Sequence, residues 1–438
     1  MAGECHRNTL GDYFTLQRGT TYKSRLLGLT GPVLLGLASI QRNGGFRSDS
    51  LQTYGGDSPD KLLVQPGDLY LSLKDVTQSA DLLGAVARLP ADHRPGRLTQ
   101  DTVKLEPKGT HVPLDYLYWL LRTPQYRSYC RAHATGTTNL GLAREDFLAF
   151  PAPEPTPTQR KIVEALGTLD DKIELNRRVN ETLEEMVQAL FKSWFVDFSP
   201  VRAKAGGRTP GLPKPLADLF PDRFEDSELG EIPAEWAVLS VYDVATYING
   251  AAYAAFQPND ERRGLPIIKI AELKAGVRPQ TKFSDVEMAE KYRIKRGDIL
   301  FSWSGNPDTS IDTFVWPHDS AWLNQHIFRV VPHPQSERTF VLSILKHLKP
   351  VFAEIARNKQ TTGLGHVTVA DMKLLSVTRP DDRAMRAWDA IASPLLDRAF
   401  QNELEIHSLA TLRDTLLPEL ISGELRVAPR GTHCAVSA

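Results

Sequence analysis

Residues 151–198 read PAPEPTPTQRKIVEALGTLDDKIELNRRVNETLEEMVQALFKSWFVDF, and the spacing within them decides the fold. Thr156 is placed to cap a helix, Pro157 suits the first helical position, and Gln159 falls three residues after the cap. Together they make a capping box with a favourable proline. Ile162, Leu166, Leu169 and Ile173 follow at alternating steps of four and three, and Val179, Leu183, Met186 and Leu190 repeat those steps. Such a stripe requires a second helix beside it. Between the two runs the seam positions are Asn176 and Asn180, so the stripe is expected to change phase there. Either the helix turns its face towards solvent at that point, or a buried amide fixes register against the partner helix.

The expected partner is the stretch from Asp381 to Gly423. Trp388, Ile391 and Leu395 begin a stripe, Leu409, Leu412 and Leu416 resume it, and Arg398, Asn402 and Glu405 occupy its middle. Pro394 is expected to kink this helix and Pro418 to end or bend it. Paired antiparallel, the two polar centres would meet and set the register.

Outward from the helices the pattern is strand-like. LGDYFTLQRG, GPVLLGLASI, DLYLSLKDV and DTVKLEP are the clearest β runs of residues 1–150, with Pro and Gly between them. Pro113 to Arg131 instead spaces its apolar and aromatic residues helically. Residues 237–378 read as a second copy. Gly67-Asp68 is matched by Gly297-Asp298, 230 residues on, and Gly19 and Tyr22 by Gly250 and Tyr253, 231 residues on. Thr137-Thr138 is matched by Thr361-Thr362 after 224 residues, and Asp146 by Asp371. Ordered matches at nearly constant offset indicate tandem duplication. Residues 199–236, rich in Pro and Gly and without lasting periodicity, read as a linker. The expected plan is a domain (1–150), a helix (151–198), a linker (199–236), a domain (237–378), a helix (379–424) and a flexible tail (425–438).

With 438 residues, 24% charged and 41% hydrophobic, the chain has the composition of an ordinary soluble protein. A net charge of −1 decides nothing about nucleic acid, because a polyanion needs only a local basic surface. Cys5, Cys130 and Cys434 form no CxxC pair, which disfavours a disulfide framework or a zinc site and suits a reducing cytoplasm. No signal peptide or membrane span is legible, so a cytoplasmic location is expected.

Catalytic motifs fail one by one. Asn306-Pro307-Asp308 lacks the second proline and the aromatic of an amino-methyltransferase loop and reads as a turn. Asp260, Glu272 and Lys274 have the residue types of a nuclease metal site, yet Glu272 and Lys274 fall opposite Ser39 and Gln41 in the first copy. GTTYKS at 19–24 has Tyr22 where a phosphate loop needs glycine. No His or Cys cluster has metal spacing. What remains is a recognition profile of polar loop residues beside aromatics. In the first copy these are Arg42, Asn43, Arg47, Lys74, Gln78, Arg97, Thr137, Thr138 and Asn139. In the second they are Lys269, Lys274, Trp303, Ser304, Asn306, Asn324, Gln325, His326, Lys359, Gln360, Thr361 and Thr362. Arg and Lys suit guanine edges and phosphates, and Asn and Gln suit adenine.

Three longer runs resemble the specificity (S) subunit of type I restriction–modification systems. They are PTPTQRKIVEAL from 155 with LDDKI and Asn176 following, LFKSWFVDFSPV from 190 running on to FEDSELGEIP at 224–233, and the closing LLPELISGEL at 416–425. The resemblance implies an α+β chain with a pseudo-two-fold internal repeat. Two similar mixed α/β target-recognition domains, each reading half of a split DNA site, would be joined by two long antiparallel helices forming a coiled coil. Methyltransferase (M) subunits, two of them, would dock on the helices and bind S-adenosylmethionine, and restriction (R) subunits would cut. No cofactor is expected on this chain itself. Ser304-Gly305 stands where the first copy has Lys74-Asp75, so the two loops are expected to read different sequences. The alternatives are a fused or stand-alone restriction endonuclease or methyltransferase, and a coiled-coil adaptor without DNA binding.

Overall fold

The computed structural model describes residues 8–48, 51–137, 139–334, 337–360 and 364–422. Thr138, Thr361, Thr362, Cys5, Cys434, Gly423 and the tail lie outside the described residues. The chain divides into two compact units: Met1–Lys172 with Leu409–Ala438, and Ile173–Ser408. A central helix, Pro157–Phe195, and a C-terminal helix, Asp382–Ser422, each contribute to both units.

The first unit contains β1 (Phe14–Arg18), β2 (Val33–Leu35), β3 (Leu63–Val64), β4 (Leu69–Ser72), β5 (Lys74–Asp75), β6 (Val86–Arg88), β7 (Gly96–Leu98), β8 (Thr102–Pro107), β9 (Ala134–Thr135) and β10 (Leu140–Leu142). An antiparallel sheet runs β1-β8-β4-β6, a smaller one β2-β7-β3 with β2 parallel to β7, and a third β5-β10-β9. The helical stretch 113–131 is two helices, Leu114–Leu120 and Pro124–Ala132. Pro124 cannot continue the first helix and opens the second, whose first turn is capped by the Thr123 hydroxyl accepting from the Tyr126 N–H. Ile162, Val163, Leu166 and Leu417 of the long helices are buried in the same core as Leu10, Leu117 and Phe147.

The second unit contains β11 (Phe224–Ser227), β12 (Gly230–Pro233), β13 (Ala237–Ser240), β14 (Ala245–Asn249), β15 (Leu265–Ile268), β16 (Phe283–Ser284), β17 (Arg293–Ile294), β18 (Ile299–Ser302), β19 (Ser304–Gly305), β20 (Asp312–Val315), β21 (Ala321–Leu323), β22 (Ile327–Pro332), β23 (Gly365–His366) and β24 (Ser376–Arg379). Its sheets follow the first unit: β14-β22-β18-β20, then β16-β15-β21-β17, with β15 parallel to β21 and β16 added at the edge, then β19-β23, one strand shorter than β5-β10-β9. Register agrees as well as order. Leu35 faces Leu98 across the parallel pair as Ile268 faces Leu323, which sets Ser39 opposite Glu272. Gly67 and Gly297 both hold φ +90 in the turn before the central strand, a conformation L side chains rarely adopt. Gly19 and Gly250 lie against the backbones of Thr99 and Asn324, where a side chain would collide with the carbonyl oxygen.

Residues 199–236, which read as a linker, are built into the core of the second unit. Val201, Phe220 and Trp236 are buried with Trp194, Phe195 and Phe198, and Ile232 is buried as well. The Trp194 and Phe220 rings meet edge to face at 5.0 Å, and Phe198 and Trp236 at 5.7 Å. Three or four widely spaced anchors carry this packing, and anchors without a period leave no signature in a hydropathy pattern.

The capping box forms as expected: the Gln159 N–H donates to the Thr156 hydroxyl at 3.2 Å and the Thr156 N–H to Gln159 Oε1 at 2.9 Å. The seam, however, keeps one phase. From Ile162, Leu166, Leu169 and Ile173 the four–three steps continue through Asn176, Asn180 and Leu183 to Val187, Leu190 and Trp194. Val187 is buried, whereas Met186, expected on the seam, is 47% exposed. Asn176 is only 2% exposed, so the amide is buried and the helix does not turn its face. On the C-terminal helix, Trp388, Ala392, Ala399, Asn402 and Ile406 are buried, and Ile391 and Leu395 pack beside them. Leu409 is half-buried and Leu416 packs at the rim of the first unit's core. Leu412 is 46% exposed, because Arg413 takes the seam position next to it. Neither Pro394 nor Pro418 ends the helix.

Rising numbers on one helix meet falling numbers on the other, so the pairing is antiparallel. In the second unit Asn176 Nδ2 donates to Glu405 Oε2 at 2.8 Å, and Asn402 Nδ2 to Asn180 Oδ1 at 2.9 Å. In the first unit Arg413 and Arg122 donate to the two oxygens of Asp170 at 2.5 and 2.7 Å. Burial acts to raise the Asp170 carboxyl, but Arg122 and Arg413 outweigh it and hold it below its ordinary value. Among the described residues no helix is long and apolar enough to cross a membrane.

Candidate nucleic-acid interface

Strand β18 is buried along its whole length, and the chain surfaces at Trp303. The half-buried indole packs against His326 and Phe328, with centroids 5.7 and 5.8 Å away, and donates from Nε1 to Asn249 Oδ1 at 3.2 Å. Ser304 pairs with His366 in the short ladder of β19 and β23. Beyond it Asn306 closes a turn, its Oδ1 accepting from the N–H groups of Asp308 and Thr309 at 3.0 and 3.1 Å. Arg357 anchors that turn through Asp308 at 2.6 Å, and Lys274 bonds the Thr309 carbonyl. Trp303, Ser304 and His326 are thus brought together, with Asn249 and His366 beside them. Asn306 and Gln360 are exposed, and Gln325 is half-buried with its amide 3.4 Å from His326 Nε2.

Other expected readers have structural duties. Asn324 is 3% exposed, because its backbone donates to Ile268 and bridges Ala251 at the centre of the small sheet; it is not presented to a ligand. Lys269 is half-buried over the Tyr253 ring at 5.0 Å. Lys359 is held by Asp371 at 2.6 Å. Burial acts to raise the Asp371 carboxyl, and the bonds from Lys359 and Thr368 outweigh it, so its value is lowered.

In the first unit the equivalent loop follows β4. Lys74 pairs with Asp101 at 3.1 Å, and both line a cavity of ≈360 Å³ with Thr135 and Asn139. Buried Asp75 holds the next loop by accepting from the N–H groups of Thr77 and Leu82, each at 2.7 Å. Gln78 and Thr137 are exposed nearby in sequence. Arg42 and Asn43 line a separate hollow, and Arg47 is exposed. Arg97 is buried over the Tyr54 ring and donates to Thr20, Thr21, Asp57 and Leu98, so it supports the fold and is no loop reader.

The two copies therefore present different chemistry at one topological place: Lys74 with Asp101 in the first, Ser304 with His326 in the second. Arg18 and Asn249, the residues before the matched glycines Gly19 and Gly250, were missed by the sequence reading although the glycine match points to them. His366 and Asp101 carried no sequence signal, since only strand pairing brings them in.

No catalytic grouping assembles from the rejected motifs. Glu272 is buried and accepts from the Lys269 N–H at 3.1 Å and the Thr281 hydroxyl at 3.2 Å, while Asp260 pairs with Lys282. Among the described residues no group of three His, Cys, Asp or Glu side chains is placed to hold a metal ion.

Residues 233–385 match the family described as type I restriction modification DNA specificity domain. Over 321 residues the chain is 26% identical to the specificity subunit of type I restriction enzyme MjaIX of Methanocaldococcus jannaschii, covering 72% of this chain and 70% of that one. Over 369 residues it is 25% identical to the HindI specificity subunit of Haemophilus influenzae, covering 73% and 79%. A crystal structure of the type I S subunit from M. genitalium aligns with 96% of this chain and 98% of its own, at 15% identity and a TM-score of 0.49.

Proposed function

We infer that this chain, a member of the family of type I restriction–modification specificity subunits, is the DNA-reading component of such a complex. Each unit reads one half of a bipartite double-stranded site. The paired helices set the gap between the halves and dock two methyltransferase subunits, which bind S-adenosylmethionine and modify adenine. Restriction subunits supply cleavage, and the chain itself performs no reaction. It works in the cytoplasm with the DNA it marks.

One observation carries this reading: two units of the same strand order and register expose different polar groups at the same place. A duplicated scaffold with divergent loops is the arrangement expected of two readers on one scaffold, because base edges are distinguished by donor and acceptor pattern. The test is genome-wide mapping of methylated adenines in a host with and without this chain, and with Ser304 and His326 replaced by alanine. The chain should add a split motif, and the double variant should relax one half of it. An unchanged methylation map on removing the chain would overturn the reading.

A further inference from the structure

The hollow beside Arg42 belongs wholly to the first unit and stands apart from the reader loop at Lys74. A cavity of ≈370 Å³ lies between the turn at residues 41–44, the helix Pro124–Ala132 and the C-terminal helix. Five guanidinium groups line it: Arg42, Arg122, Arg127, Arg131 and Arg413.

Wall and rim differ in how these groups are engaged. On the wall, Arg122 and Arg413 grip Asp170, Arg413 also holds the lining carboxylate of Asp414 at 2.7 Å, and Arg127 donates to the carbonyls of Ala80, Asp81 and Leu83, so three guanidiniums outnumber two carboxylates. At the rim, Arg42 and Arg131 share one carboxylate, Asp81, at 3.7 and 3.9 Å. Those separations exceed hydrogen-bonding distance, and the two side chains are 64% and 45% exposed. Exposed pairs of this kind hold by about 1 kcal/mol or less, so both guanidiniums can turn to a better anion.

The fold does not require this cluster. Strand register sets Arg42 opposite Ala275. Pro124 and Pro350, each followed two residues later by a buried aromatic (Tyr126, Phe352), set Arg122 opposite Leu348, Arg127 opposite Ala353 and Arg131 opposite Arg357, which is turned to Asp308 instead. In the second unit the hollow beside the matching turn is lined by Leu273, Lys274, Gly276, His318, Lys346 and His407 among others, with no arginine and no residue of the helix Lys349–Asn358. One architecture is thus built twice, the second time without arginines in place of Arg42, Arg122 and Arg127, which argues against a purely structural role for these three.

We propose that the hollow of the first unit is a phosphate site, taking a phosphoryl or phosphodiester group between Arg42 and Arg131 against a positive wall. The planar guanidinium fork matches phosphate oxygens in pairs, which an ammonium does not. The group comes from a DNA backbone or from a free nucleotide. The first source rests on the function proposed above and the second does not. Engagement draws both arginines from Asp81, the end of the loop that Asp75 holds at Leu82 and that carries Gln78.

The test uses the full chain and an R42Q/R131Q variant, both exposed positions whose replacement leaves the core intact. Inorganic pyrophosphate, at ionic strength matched with chloride, raises the melting temperature of the parent by several degrees and that of the variant by none; R42K/R131K recovers only part of the shift. Binding to a duplex fragment is then followed against salt. A logarithmic slope shallower in the variant by about one to two units, at ~0.9 per phosphate, names the backbone as the source. Pyrophosphate stabilisation with an unchanged slope names a free nucleotide, and it still counts if the chain binds no DNA. The absence of both, with no stabilisation by pyrophosphate and no change of slope, overturns the site.

Discussion

Asn402 donates from Nδ2 to Asn180 Oδ1 at 2.9 Å, one amide on each of the two long helices of the second unit. Asn402 is 1% exposed, and the adjoining pair, Asn176 with Glu405, forms the next rung. Polar rungs inside an apolar seam cost stability relative to leucine but match only in one register. Replacing Asn402 alone by leucine should destabilise the chain by about 1–3 kcal/mol by leaving Asn180 without its partner. The N180L/N402L double variant should regain most of that loss. Urea unfolding of the four chains in a double-mutant cycle checks both; equal, additive losses would refute the pairing.

Asp170 binds Arg122 and Arg413 together, so its loss leaves two guanidiniums facing each other. Asp170→Asn should cost about 3 kcal/mol, as for removal of one partner from a buried ion pair. Because the folded carboxyl lies below its unfolded value, its contribution is complete above the unfolded pKa of about 4 and is lost as pH falls through the folded one. The variant should therefore show a shallower acid limb in urea midpoints measured between pH 5 and pH 2.

His318 and His407 lie with ring centroids 4.4 Å apart, and Glu403 accepts or pairs at His407 Nε2 at 3.2 Å. Burial first, and His407 second, push the His318 imidazole down to about 4, against the opposing pull of Glu403 and Asp319. A lowered imidazole is neutral in the folded chain, so its contribution is complete above about pH 6.5 and declines as pH falls towards about 4. His318→Phe should flatten stability over that window. Thermal midpoints at pH 7, 6 and 5 decide it; a parent chain equally stable at all three would count against the burial argument.

Ser304 and His326 occupy the place of Lys74 and Asp101. Writing the first pair into the second unit, S304K/H326D, should change the preferred base at one or two positions of one half-site only, by about 1–3 kcal/mol per base contact. Methylation mapping reads this directly, and a change in both halves would contradict independent readers.

If the helices set the gap between half-sites, a heptad added after Lys172 and another after Ser408 preserves the seam and lengthens each helix by about 10 Å. The gap should grow by about three base pairs at ~3.4 Å each. An unchanged gap in the methylated motif would reject the ruler.

Sequence periodicity made the two helices and their pairing legible, because a buried stripe must recur at the helical period whatever it packs against. The duplication was legible for a similar reason: Gly19, Gly67, Gly250 and Gly297 are fixed by backbone geometry and survive divergence of the loops. The phase of the seam was not legible. Val179 and Met186 mimic a shifted stripe, and only the burial of Asn176 and Val187 shows that the helix keeps one face inward. Nor was the packing of residues 199–236, whose aromatic anchors follow no period.

What the sequence determined by itself is local: where helices start, which positions repeat, and which family the long runs resemble. The tertiary structure decided which polar residues reach the surface and which support the fold. Asn324 and Arg97 are used up inside the sheets, while Asn249, His366 and Asp101 arrive beside Trp303 and Lys74 from distant strands. Hydrogen-bonding capacity belongs to a residue type, but whether it is spent within the fold depends on neighbours that only the folded chain brings close.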